Sequence, residues 1–66
     1  MTIAKVIEVI ASSTTGFEDA VSSGIAKAGE TVHGIEGAWV KDTKVTVRDG
    51  KISEWRVILS ITFLVK

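Results

Sequence analysis

Two side chains in this 66-residue sequence, Trp39 and Arg56, are of the types that recognise a flat ligand with a polar edge. An indole offers a rigid plane for stacking, and a guanidinium offers donors fixed in one plane for the rim of a ring. The same pair also reads as an interface anchor and an inter-subunit ion pair, and on residue types alone that plainer reading is the stronger one. Other chemistry is poorly supplied. Cysteine is absent, which removes disulfides, thiolate nucleophiles and thiolate metal sites. His33 is the single histidine, with no second imidazole to complete a metal site or a catalytic arrangement, and Gly34 behind it fits a helix C-cap. The run Ser12-Ser13-Thr14-Thr15-Gly16 lacks the further glycines and the lysine of a phosphate loop and reads as a helix entry. Enzymatic activity is not expected.

The elements that must position Trp39 and Arg56 follow from periodicity. From Ile52 to Lys66 the odd positions Trp55, Val57, Leu59, Ile61, Phe63 and Val65 are all apolar, whereas the even positions mix Arg56, Ile58, Ser60, Thr62, Leu64 and Lys66. Alternation of that kind predicts a strand with one apolar face and one mixed face, about 50 Å long at roughly 3.3 Å per residue. Residues 3–11, rich in valine and isoleucine on both parities, predict a first strand covered on both sides. Phe17, Ala20, Val21, Ile25, Ala28 and Val32 draw one stripe at helical spacing, so a helix follows the first strand, capped at Thr15 or Ser13. Gly24 and Ala28 read as points of close approach to the sheet. His33 falls in the last turn of that helix.

Trp39–Arg48 predict a second strand, and Asp49-Gly50 a two-residue hairpin turn into the third. A regular hairpin sets Arg48 opposite Lys51, Thr43 opposite Arg56 and Trp39 opposite Ser60. Trp39, Lys41, Thr43, Val45 and Val47 then share the mixed face with Ile52, Glu54, Arg56, Ile58 and Ser60. Ala38 and Val40 face the helix. Asp42 and Lys44 do so as well, opposite Val57 and Trp55, which marks either a weakness of this register or a bulge. The fold class is α+β, a β-α-β-β chain with a three-stranded antiparallel sheet in the order 1-3-2 and one helix on one face. Trp39, Val45, Val47, Ile52, Ile58 and Leu64 leave the other face too apolar for water, so self-association is expected.

Bulk numbers bound the rest. Residues 1–66 make one domain near the lower size limit for a single core. Eight basic and eight acidic residues give zero net charge, so no field steers the chain to nucleic acid or an anionic membrane. No stretch is long enough to span a bilayer and no leader pattern opens the sequence, so a cytoplasmic location is expected. Hydrophobic residues make up 45%, high for a small chain with so little interior, and the surplus again points to an interface.

Several stretches resemble the dodecins, small flavin-binding proteins: Lys5-Val6-Ile7-Glu8-Val9, the Ser12-Ser13 entry, Ala26-Lys27-Ala28 with Thr31-Val32, and Glu54-Trp55-Arg56-Val57 with Phe63. The likeness covers essentially the whole chain without gaps. It implies a sheet wrapped around its helix and a hollow homododecamer of cubic symmetry. Flavins would sit at two-fold axes as stacked pairs between tryptophans, with a last-strand glutamine on the isoalloxazine edge. Storage and quenching of flavins are the implied roles. The chain departs from this pattern twice. Gly37 stands where the family has its stacking tryptophan, with Trp39 two residues later on the same face, and Arg56 stands where it has glutamine. An arginine donates but cannot accept, so it meets only half of the flavin edge.

The expectation is therefore a flavin protein taking riboflavin or FMN, with cofactor-binding residues Trp39, Arg56, Gly37 and Lys44. Trp39 would be its stacking plane and Arg56 its edge donor. The alternative is a flavin-free shell of the same family that takes cations or another planar cofactor, for which Asp42 and Glu54 are nonspecific candidate ligands.

Overall fold

A computed structural model gives the structure of the chain and describes residues 2–65, so Lys66 of the expected last strand lies outside the described residues. Four elements follow one another: β1 (Ile3–Ser13), α1 (Phe17–Gly29), β2 (Ile35–Arg48) and β3 (Lys51–Val65). The order in the sheet is β1-β3-β2, antiparallel throughout, as the alternating pattern of β3 requires of a central strand. The long axis of the molecule measures 52 Å, set by β3 and the hairpin that continues it.

The odd positions of β3 form the core. Val57, Leu59 and Ile61 are fully buried, together with Ala20 of the helix. Ile7, Val9 and Ala11 of β1, Ile35 of β2, and Val21, Ile25 and Ala28 of α1 close around them. These β1 residues stand directly opposite Ile61, Leu59 and Val57, so one face of two strands and one stripe of the helix make a single layer contact. The helix comes closest at Gly24. A Cβ built there lies 2.9 Å from Ala11 Cβ and 3.0 Å from Leu59 Cδ1. Ala11 Cβ is fixed to its strand and cannot swing away. Gly24→Ala should therefore destabilise the fold by about 1–3 kcal/mol of overpacking, offset by up to about 1 kcal/mol of helix propensity. A lowered urea midpoint at fixed protein concentration is the expected reading, and a raised one would show that the helix has room to shift.

Three local expectations are corrected. The helix has no side-chain N-cap; its N-cap residue is Gly16, and the expected capping box at Thr15 does not form. Ser13, at the end of β1, accepts the Thr15 and Gly16 backbone N–H groups at 2.9 and 3.3 Å and donates to Asp19 Oδ2 at 2.7 Å. The helix also stops earlier than the apolar spacing indicates. It ends at Gly29, and Glu30, Thr31 and Val32 turn back on the Lys27 and Ala28 carbonyls. His33 thus lies beyond the helix, exposed in the connection to β2. Gly34 caps no helix: its φ of 81° lets the chain turn into β2, and its carbonyl accepts the Leu64 N–H at 3.0 Å.

The third correction is the hairpin register. The Asp49-Gly50 turn, with φ of 52° and 74°, holds Arg48 opposite Lys51, and Trp39 stands opposite Ser60 as expected. Between those ends the pairing slips by one residue. Ser53 is an extra residue in β3 and Lys41 an extra residue in β2, so Thr43 faces Val57, Lys44 faces Arg56 and Asp42 faces Ile58. Glu36 is a third extra residue, near the start of β2. The slip carries Thr43, Val45, Val47 and Ile52 to the helix-side face and brings Asp42 and Lys44 to the opposite, outer face. The two charged residues that fitted poorly toward the helix are the ones that the bulges turn outward.

Candidate functional site

The outer face of the sheet is built of cross-strand rungs, each with one residue from every strand. In order along β3 these are Val6, Thr62 and Gly37; Glu8, Ser60 and Trp39; Ile10, Ile58 and Asp42; and Ser12, Arg56 and Lys44. All four expected site residues therefore share one face. They divide between its two ends, because Ser60 and Arg56 are four residues apart on β3, about 13 Å at roughly 3.3 Å per residue.

At the first end Trp39 is 66% exposed. It lines a shallow hollow with Glu36, Gly37, Ala38 and Thr62. Nothing lies within 4 Å of where a Gly37 side chain would begin, so the space beside the indole is open. Lys41, the extra residue of the bulge and on this face as expected, reaches across the sheet and bonds Glu8 Oε2 at 2.8 Å. That hydrogen bond, with the charge of Glu8 behind it, raises the Lys41 pKa above the usual lysine value. Ser60, between Glu8 and Trp39 on the same rung, is only 7% exposed. The Glu8–Lys41 link was not foreseen, because the regular register sets Lys41 opposite Ile58, one rung away from Glu8 and Ser60.

At the other end Lys44, Arg56, Asp42, Thr43, Ile10 and Ile58 line a hollow of about 210 Å³. Arg56 Nη2 pairs with Glu54 Oε1 at 3.1 Å, while its Nε is buried with no hydrogen-bond partner. Asp42 Oδ1 accepts the Thr43 N–H at 2.9 Å. Asp42 and Glu54 do not converge: their partners Ile58 and Thr46 place them on separate rungs, and Glu54 is held by Arg56. Among the described residues no group of three or more histidines or acids is placed to hold a metal ion, and no helix is long and apolar enough to cross a membrane.

Known proteins with this arrangement fall together. The sequence model of the Dodecin family matches residues 3–66. The dodecin of Thermus thermophilus is 27% identical over 59 residues, covering 89% of this chain and 86% of that protein. The solved dodecin of Streptomyces coelicolor superposes with a TM-score of 0.95 at 25% identity, over 98% of this chain and 93% of that one. The calcium dodecin of Mycobacterium tuberculosis, described as a calcium-chelating antigen with a novel calcium-binding site, is 31% identical. It superposes with a TM-score of 0.84 over 97% of this chain and 91% of that one. With a matching sequence model across residues 3–66 and the same β-α-β-β fold, the chain belongs to the dodecin family.

Proposed function

We propose that this chain, as a single unit over residues 1–66, is a flavin-binding storage protein that assembles into a dodecameric shell and sequesters flavin without turning it over. The observation that carries the reading is the exposed Trp39 plane on an outer sheet face that none of the described elements covers. The residues fit a flavin. Trp39 supplies the stacking surface, the open space at Gly37 admits a ring beside it, and Arg56 holds an unused buried donor on the same face. A bound flavin contributes a planar ring whose excited state a stacked indole quenches, and that is the basis of the storage and protection role. Lys44 stands directly opposite Arg56 and adds a further donor.

Assembly has its own support. Val6, Ile10 and Trp39 are exposed on the outer face, and Val47 and Ile52 on the hairpin. Apolar groups in that number on so small a chain call for partners, and further copies of the chain are the partners proposed. A cytoplasmic location belongs to the same reading and rests on composition. The alternative, a flavin-free shell that takes cations, draws on the Mycobacterium tuberculosis relative, but here Asp42 and Glu54 stand on separate rungs.

The test is titration of riboflavin and FMN with purified protein in the dark, read by flavin fluorescence. Quenching that saturates near one flavin per subunit is expected. Unchanged fluorescence at micromolar protein would overturn flavin binding, and a 7.0 kDa species in sizing chromatography would overturn the shell.

A further inference from the structure

The chain has three aspartates, and the fold treats one of them differently. Asp19 is tied down: its Oδ2 accepts from Ser13 at 2.7 Å, and the amide that follows it, Ala20 N–H, is spent on the Gly16 carbonyl at 3.1 Å. Asp42 accepts the Thr43 N–H at 2.9 Å within the β2–β3 pairing, and the β-branched Thr43 crowds its own nitrogen. Asp49 stands exposed at the tip of the hairpin, and among the described residues its carboxylate enters no ion pair. Its neighbour Gly50 has no side chain, and nothing lies within 4 Å of where one would begin. Among the described residues Asp49 is also the only one other than glycine with a positive φ, 52°, a left-handed conformation that an L residue holds at a cost. Past the extra residue Ser53 only the pairs Val47–Ile52 and Arg48–Lys51 close the turn, and all four residues are exposed, so the tip opens far more readily than the core.

We infer that Asp49-Gly50 is a site of spontaneous backbone modification, at which aspartate becomes isoaspartate through a succinimide. When the tip opens, the Gly50 amide nitrogen attacks Asp49 Cγ. The N–Cγ bond forms, and one carboxylate oxygen leaves as water, taking the amide proton and a proton from solvent. Water then adds to either carbonyl of the ring. Addition at Cγ breaks the new bond and restores aspartate. Addition at the Asp49 backbone carbonyl carbon breaks the original peptide bond and leaves the chain running through Cβ and Cγ. The water released is regained, and nothing is oxidised or reduced. The product carries one more methylene in its backbone and a free α-carboxylate, so the two-residue turn no longer closes and the Arg48–Lys51 pair loses its register.

The test incubates the purified protein for weeks in warm, neutral buffer made with heavy-oxygen water, then cleaves it after lysine in ordinary water. Each aspartate falls in its own peptide: Asp19 in residues 6–27, Asp42 in 42–44 and Asp49 in 45–51. Every passage through the succinimide leaves one heavy oxygen behind, which mass spectrometry counts, and chromatography separates the isoaspartate peptide from its isomer of equal mass. Asp49 should take up label about tenfold or more faster than Asp19 and Asp42, because their surroundings must open further before the same attack. Isoaspartate should accumulate in the 45–51 peptide. Label at Asp49 no higher than at Asp19 and Asp42 overturns the inference. A parallel incubation in guanidinium chloride then gives the reason: label at Asp49 there means that the folded turn guards the residue, and none means that the Gly50 amide does not attack.

Discussion

Replacing Leu59 by alanine is expected to cost about 2–5 kcal/mol, the range for emptying a fully buried leucine site. Leu59 is fully buried, stands between Val9 of β1 and Val40 of β2, and meets the helix at Gly24. A chain of 66 residues has a total stability of roughly 3–10 kcal/mol at about 0.05–0.15 kcal/mol per residue, so one side chain decides whether it folds. Relaxation cannot fill the hole cheaply, because the atoms facing Leu59 belong to strands and to a helix already at its closest approach. Urea unfolding followed by circular dichroism, at fixed subunit concentration because assembly contributes to the midpoint, measures the loss. Val40→Ala is the control: it shares the rung and the face, is half exposed, and should cost under about 1 kcal/mol. A Leu59→Ala protein within 1 kcal/mol of the unaltered one would mean that the core lies elsewhere.

Trp39→Ala is expected to weaken flavin binding by about 1–3 kcal/mol, the worth of one stacked aromatic plane, or roughly 5- to 150-fold. Its effect on the subunit fold should be small, since the indole is mostly exposed and takes no part in the core. Titration of both proteins with FMN gives the ratio, and sizing chromatography shows whether the shell survives. An intact shell with weak flavin binding supports the stacking role. A dissociated shell with unchanged affinity per folded subunit would make Trp39 an interface anchor, the plainer role its residue type equally allows.

Much of the architecture was legible because β3 states it twice. Its odd positions name the buried face, and its length and mixed second face require a central place in the sheet. The helix stripe from Phe17 to Ala28 was legible for the same reason. Legibility failed where side-chain periodicity and backbone hydrogen bonding separate. Val32 continues the apolar stripe but not the helix, because Gly29 and the turns onto Lys27 and Ala28 end the ladder first. Ser13 has the chemistry of an N-cap but spends it on the strand-to-helix turn and on Asp19. At the candidate site, residue types singled out Trp39 and Arg56, Gly37 and Lys44 joined them only with the family resemblance, and the opposition of Lys44 to Arg56 was not legible. Parity counting carries every β2 residue past Lys41, and Ile52 of β3, to the wrong face. Asp42 and Lys44, charged groups aimed at a core, were the only written sign of the slip.

The extra residues in the hairpin also bear on how this sheet can diverge. At Glu36, Lys41 and Ser53 the chain carries one residue more than the pairing uses, so losing one of them shortens a strand without reversing the faces beyond it. β1 has no such slack: it pairs with β3 without a slip from Ile3 to Ser13, and a residue deleted in its middle would turn half of its core side chains into solvent. Insertions and deletions are therefore open to descendants of this chain along β2, the strand that presents Gly37, Trp39 and Lys44, and closed along β1. An outer-face side chain can migrate along β2 while the core stays in register.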